Sequence, residues 1–522
     1  MKSRRTALKG LIGCSGAAFF QESLWGTEEV KNGFENDPLS GSRTGPWRRL
    51  FLDGSVIEQQ SGVERVFHQL TKHSAEPIIV ADQPWEGRSA IIGPYVYGTV
   101  RVEDDRFRLW YQLLHQGNHV GYAESSDGIR WQKPRLGLVR HEGHDTNLVV
   151  SAFQSEAFAG VHCHNPSVIF RSRETDPSRR YALYGFDSAS GGPRVAFSPN
   201  GTNWTYLESE NENGKPKPLF SSGDVVSFFE DPYRQRYAAT WKTRNRRGRA
   251  VGIATSNEGL IWSKIYDGPV FGADDHDPDT TQIYGMPVFA YQGLFIGLPW
   301  IYRARYFRYG EYSVEKLHEA QSDSPRTMEV QLAWSWDLVH WNRPKDREQF
   351  LPRGEARNWD SGMVLTSRAP VQVGKELWFY YSGTDRAHDE PRVQAAIGLA
   401  KMRLDGFCSM RSEKEEGWLI TRREPMRSAR LMINARTGPA GYIQAEILNR
   451  KNKVVPGYSR DLCRPFRGDE VSHEIAWQSA QSLALPDAND FKVRFLLKDA
   501  ELFSYLPLDL DPKQPDLDVA IR

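Results

Sequence analysis

The chain has 522 residues, 39% of them hydrophobic and 12% aromatic, including 16 Trp and 21 Tyr. Its 67 Lys and Arg stand against 66 Asp and Glu, so no net field draws it to nucleic acid or to an anionic membrane surface. No apolar run is long enough to span a bilayer, and the length exceeds one ordinary domain.

Residues 1–26 read as a targeting segment. Ser3-Arg4-Arg5-Thr6-Ala7-Leu8-Lys9 resembles the twin-arginine export motif and precedes a modest apolar stretch from Leu11 to Phe20. A periplasmic or secreted location is therefore expected. Leu11-Ile12-Gly13-Cys14 also has the form of a lipoprotein box, but lies very early in the chain for lipidation at Cys14. Residues 27–48 form an irregular lead-in to the first strand, Leu50-Phe51-Leu52-Asp53.

One turn pattern then recurs, with Ser followed six residues later by Trp. It reads Ser125-Ser126-Asp127-Gly128-Ile129-Arg130-Trp131, then Ser198 to Trp204 with Asn200-Gly201, then Ser256 to Trp262 with Glu258-Gly259. The fourth copy, Ser335 to Trp341, has Leu338 where the others have Gly, and a degenerate fifth runs Leu404-Asp405-Gly406-Phe407. Asp-Gly and Asn-Gly supply positive φ for a tight turn, and Ser and Asp oxygens can accept from nearby backbone N–H groups. Each copy follows a strand-like run such as Val120-Gly121-Tyr122-Ala123, with an aromatic strand upstream, such as Phe107 to Tyr111. Hairpins repeating every 58 to 79 residues or so suit four-stranded blades, and predict an all-β fold. The expected architecture is a five-bladed β-propeller over 49–413. A β-sandwich over 414–522 follows, from alternating runs such as Tyr442 to Leu448 and Phe491 to Leu497.

After the leader only Cys163, Cys408 and Cys463 remain, too few and too scattered for a disulfide framework. His162-Cys163-His164 has no second ligand cluster to complete a zinc site, so no metal and no cofactor is expected.

Five blades and a C-terminal sandwich resemble glycoside hydrolase family 32, and the blade logic is similar to family 43. More narrowly, the chain resembles secreted bacterial proteins of that five-bladed superfamily. The residues that carry this are Trp85-Glu86-Gly87, Asp224 to Asp231, Trp359-Asp360-Ser361-Gly362 with Tyr380-Tyr381-Ser382-Gly383, and Leu404 to Phe407. The resemblance implies a glycosidase-like enzyme and a carbohydrate substrate. The family 32 signatures (Asn-Asp-Pro-Asn-Gly, Arg-Asp-Pro and Glu-Cys) are not intact, and His164-Asn165-Pro166 has Asn where a family 43-like acid would stand.

Glycosidic cleavage needs a protonated and an ionised carboxyl across the scissile bond. In a propeller these are sought where inner strands begin, at the mouth of the central channel. Asp224, before Val225 to Phe229, and Asp360, before Ser361 to Val364, are the favoured catalytic residues, with Glu86 third. Trp85, Tyr284 and Trp359 are candidate sugar platforms, while His164, Arg244 and His388 could hold hydroxyls or an acidic sugar's carboxylate. Each has a plainer reading: Asp224 as a turn acid, Glu86 as a partner of Arg88, the Trp residues as blade packing. The rival function is a non-catalytic glycan-binding propeller.

Overall fold

The computed structural model describes residues 45–508 apart from 88–90, 115–116, 153–162, 211–213, 215, 267, 305–325, 389, 425, 427–429 and 479–490. The export leader, Cys14, Arg88 and His162 lie outside the described residues. The two helical turns found there, Pro84–Glu86 and Pro177–Arg179, are single turns of 3₁₀ helix. The fold is all-β and propeller-like.

Four blades stand as separate four-stranded sheets. Their inner strands are Tyr95–Glu103, His164–Phe170, Val226–Asp231 and Val288–Tyr291. The strands expected for a fifth, Met363–Thr366, Glu376–Thr384 and Val393–Arg403, belong to a ten-stranded sheet. That sheet also takes the halves of the fourth blade nearest the channel mouth, Thr281–Gly285, Trp300–Arg303 and Thr327–Gln331, through a parallel contact of Met328 with Met363. The fourth blade divides because Pro287 and Pro299 interrupt its first two strands and cannot donate to a ladder.

Side chains tie neighbouring blades together around the ring. Thr99 Oγ1 accepts from Val168 N at 2.9 Å, and Ser167 Oγ accepts from Phe228 N at 3.2 Å. Thr240 Oγ1 donates to Met286 O at 2.6 Å, and Trp300 Nε1 donates to Thr366 Oγ1 at 3.3 Å. Ser382 Oγ accepts from Val96 N and completes the circuit. On the outside, Thr71–Lys72 pairs with Val393–Arg403, so a strand from before the first blade completes the last. Arg368 spans the channel: its N–H donates to Gly98 O at 3.1 Å, and its guanidinium donates to Val168 O at 2.9 Å and to Phe228 O.

The repeated turn proves to be a staple between blades. In each of the four Ser-to-Trp copies the Ser Oγ accepts from the N–H three residues on, at 2.8 to 2.9 Å. In three copies the turn carbonyl receives an aromatic donor from the preceding unit: Tyr380 Oη to Gly128 O at 2.8 Å, Trp110 Nε1 to Gly201 O at 2.7 Å, Tyr184 Oη to Gly259 O at 3.1 Å. Stacking reinforces these seams, as with Tyr184 on Phe228 at 4.4 Å and 14°. The Gly-less copy keeps the backbone shape, with Leu338 at φ 68° and its side chain fully buried. Gly259 sits at φ 83°, and a Cβ there would lie 2.3 Å from Tyr184 Oη. Gly259→Ala is therefore expected to cost about 2 kcal/mol, from left-handed strain and a displaced staple. Urea denaturation checks this, and an unchanged midpoint would remove the staple's energetic role.

The C-terminal strands, dominated by Leu431–Leu448 and Lys492–Pro507, hydrogen-bond into one eight-stranded sheet bent by bulges at Asn434/Ala435 and Thr437/Tyr442. Arg49–Leu50, Ile57–Ser61 and Glu64–Phe67 also pair into it. Asp405, in the degenerate fifth turn, joins this sheet to the propeller: it accepts from Tyr291 Oη at 2.5 Å and Ser504 Oγ at 2.6 Å.

Candidate functional site

The site grows from the start of the third blade. Gly223 donates to Lys242 O at 3.2 Å, and Lys242 N donates to Val225 O at 2.8 Å. A Cβ on Gly223 would come within 2.6 Å of Lys242 O, so only glycine permits this approach. The approach sets the Asp224 carboxylate directly on Lys242 Nζ in an ion pair, with the Asp224 side chain 47% exposed. Burial pushes the Asp224 carboxyl up, but the Lys242 ammonium and the neighbouring His164 outweigh it and leave the carboxyl below its ordinary value. Asp224 is ionised at neutral pH.

Aromatic rings surround this pair. Lys242 Nζ lies 4.7 Å from the centroid of Tyr284, whose hydroxyl is 3.0 Å from His388 Nε2. Tyr302 packs edge-on to His388 at 5.5 Å, and Arg249 lies over both Tyr302 and Tyr284, at 4.9 and 5.7 Å. From the first blade, Tyr97 stacks on Trp300 at 5.3 Å and 13°, and meets His164 edge-on at 5.3 Å. Tyr95 Oη is 3.4 Å from Tyr97 Oη. Burial holds both phenols far above their usual range, so they remain protonated donors.

His164 opens the second inner strand, its Nδ1 3.3 Å from Asn118 Oδ1. Burial lowers its pKa from 6.5 to about 4, Lys242 adding to the effect and Asp224 opposing it. A histidine neutral when folded but protonated when unfolded takes up more protons on unfolding between those values. Stability should therefore fall as pH drops from about 6.5 towards 4. His164→Gln should flatten that slope in denaturant titrations across the range; an unaltered slope would contradict the assignment. Asn165 bridges blades: its N–H donates to Gln112 Oε1 at 2.8 Å and its Oδ1 accepts from Val226 N at 3.0 Å.

The structure thus brings together Asp224, Tyr284, His164 and His388, with Arg244 on the same hairpin as Lys242. Other predicted residues are held elsewhere. Glu86 is fully buried, accepting from Lys133 Nζ at 2.7 Å, Tyr111 Oη at 2.9 Å and the backbone of Asp82 and Gln83. Burial raises its carboxyl, though Lys133 opposes the shift. Trp85, 2% exposed, donates to Asn147 Oδ1 at 2.9 Å inside the same cluster, so blade packing and not an open sugar platform is its observed setting. Asp360 is buried against Lys72 Nζ at 2.6 Å and Tyr381 Oη at 3.0 Å. Trp359 stacks on Tyr381 at 5.5 Å and donates to Ala75 O at 2.9 Å.

Tyr95, Tyr97, Lys242, Arg249 and Tyr302 were not singled out by the sequence. The usable signal was Tyr95-Val96-Tyr97, whose two-residue period points both rings to one side of an inner strand. Among the described residues no three His, Cys, Asp or Glu gather as metal ligands. The Asp-rich loop before Tyr284 instead pairs with arginines, Asp277 with Arg343 at 2.6 Å and Asp274 with Arg347 at 2.6 Å. No described helix is long and apolar enough to cross a membrane.

No protein-family model and no curated protein matches the chain. Solved structures do. A glycosyl hydrolase from Bacteroides ovatus is 15% identical, with 64% of this chain and 94% of that one covered and a TM-score of 0.43. A GH130 protein, from a family described as mannoside phosphorylases that includes glycoside hydrolases targeting β-1,2-mannosidic linkages in Candida mannan, is 14% identical over 64% and 94%, with a TM-score of 0.44. The GH32 β-fructofuranosidase of Bombyx mori is 11% identical over 83% and 94%, with a TM-score of 0.39. Folds of this kind host many activities, so the chemistry rests on the residues of the site itself.

Proposed function

We propose that the protein is a glycosidase-like enzyme that cleaves glycosidic bonds of an extracytoplasmic carbohydrate at the mouth of its propeller channel. The observation that carries this reading is Asp224: a half-exposed carboxylate, kept ionised by Lys242 beside His164 and Tyr97, with the Lys242 ammonium over Tyr284 and His388 on the Tyr284 hydroxyl. An ionised carboxylate can attack the anomeric carbon or take a proton from the attacking water. The phenols and imidazoles suit sugar hydroxyls, and the ring faces suit sugar C–H surfaces. The Arg4-Arg5 leader supports an extracytoplasmic substrate.

Hydrolysis also requires a proton donor for the leaving oxygen. Glu86 and Asp360 would have to leave Lys133 and Lys72 to serve, so we assign them to the scaffold. Glu390, two residues beyond His388 on the fifth-blade loop, accepts from Ala387 N at 3.2 Å and is the carboxyl to test in their place. The binding-module reading is favoured by one feature, the direct neutralisation of Asp224 by Lys242. Incubating the protein with a broad panel of oligosaccharides and polysaccharides separates the two. New reducing ends, lost in Glu390→Gln, support an enzyme with that donor. Saturable binding with no product across the panel supports the module.

A further inference from the structure

We propose that the carbohydrate taken at this mouth is anionic, carrying a carboxylate or a sulfate ester that Arg249 binds with help from Lys242 and Arg244; this rests on the mouth being a glycan site. Residues 242–249 read Lys-Thr-Arg-Asn-Arg-Arg-Gly-Arg, five cations and no acid in eight residues. They form the hairpin between Arg236–Asn245 and Gly248–Ser256, in the blade that also supplies Asp224. In its register Arg244 stands directly across from Arg249, and Lys242 lies two residues before Arg244 on the same face. Arg249 and Arg244 both act on the Lys242 ammonium as like charges, so positive charge is concentrated on this face.

That face is turned to the site. Lys242 lies over Tyr284, and Arg249 lies over Tyr284 and Tyr302. Arg249 Nη1 donates to Gln282 Oε1 at 2.8 Å, a neutral amide that orients the guanidinium without cancelling its charge. Arg247, by contrast, turns to Asp275. A planar guanidinium fixed by one neutral bond and two aromatic faces is suited to a bidentate grip on a carboxylate or sulfate oxygen pair. Lys242, held on Asp224, would couple the bound anion to the carboxylate we assign to chemistry.

The test measures binding and cleavage by the full protein of four probes: polygalacturonate oligosaccharides, the same oligosaccharides after carboxyl reduction, a sulfated galactan and a neutral galactan. The expected result is preference for one anionic glycan over its neutral counterpart, weakening as salt rises. Arg249→Gln should lose at least about tenfold in affinity for it. Arg244→Gln, at an exposed position, should lose less, and Arg130→Gln, on a remote hairpin with 92% of its side chain exposed, should lose nothing. The polyuronate and sulfated arms tell a carboxylate from a sulfate ester, and either supports the proposal. Equal or tighter binding of the neutral partners, no binding of either anionic glycan, or unchanged affinity in both Arg249→Gln and Arg244→Gln overturns it. An anionic glycan bound but not cut would defeat the hydrolase reading alone; a neutral glycan cut in preference would defeat this inference alone.

Discussion

Asp224→Asn is expected to lower kcat by about 10³-fold on whichever glycan the protein cleaves, with KM changed little. The amide keeps the size of the side chain and can still accept from Lys242, so the mouth retains its shape. What it loses is the negative charge that attacks or activates water. Because Lys242 and His164 hold this carboxyl below its ordinary range, the acid limb of kcat/KM set by this carboxyl should fall at a pH below that of a free aspartate. Steady-state kinetics of the purified variant check both statements. Turnover within a few-fold of wild type would remove Asp224 from the chemistry.

Asp360→Ala should act on stability instead. Asp360 holds Lys72, on the outermost strand that closes the ring, and the hydroxyl of Tyr381. Truncation leaves a mostly buried ammonium without its anion. Breaking such a pair costs about 3–5 kcal/mol; the Lys72 side chain is 23% exposed, which places this case near 3 kcal/mol. The urea midpoint should drop clearly and Asp360→Asn should recover part of the loss, while kcat per folded molecule stays at wild type. Normal stability with lost turnover would return Asp360 to the catalytic set.

The repeat was legible because its information is local: Ser256, Glu258, Gly259 and Trp262 form their turn from one another. The donor that makes that turn a staple, Tyr184 Oη, lies 75 residues earlier, and its partner could not be read. The N-terminal strands raise the same difficulty on a larger scale. Nothing in Thr71-Lys72 says it will pair with Ala400-Lys401, or in Arg49-Leu50 that it will pair with Ser504-Tyr505. Division of the fourth blade followed from Pro287 and Pro299, which were visible but whose effect depends on which strands they face.

The acids show the limit at the site. Asp224, Asp360 and Glu86 carry the same local signal, a carboxylate close to the start of a strand or turn. What separates them is a lysine from elsewhere: Lys72 and Lys133 hold two of them buried, while Lys242 holds the third half-exposed among rings. Of the basic hairpin from Lys242 to Arg249 the sequence singled out Arg244 alone, because the role of Lys242 and Arg249 depends on Asp224, Tyr284 and Tyr302 from other segments.

The most direct test of the account is a crystal structure of Asp224→Asn with an oligosaccharide drawn from the binding panel. A sugar ring is expected against Tyr97 and Tyr284, with its scissile bond beside residue 224 and its charged group on Arg249. A sugar bound away from the channel mouth, or seated against Glu86 or Asp360 with Lys133 or Lys72 displaced, would contradict it.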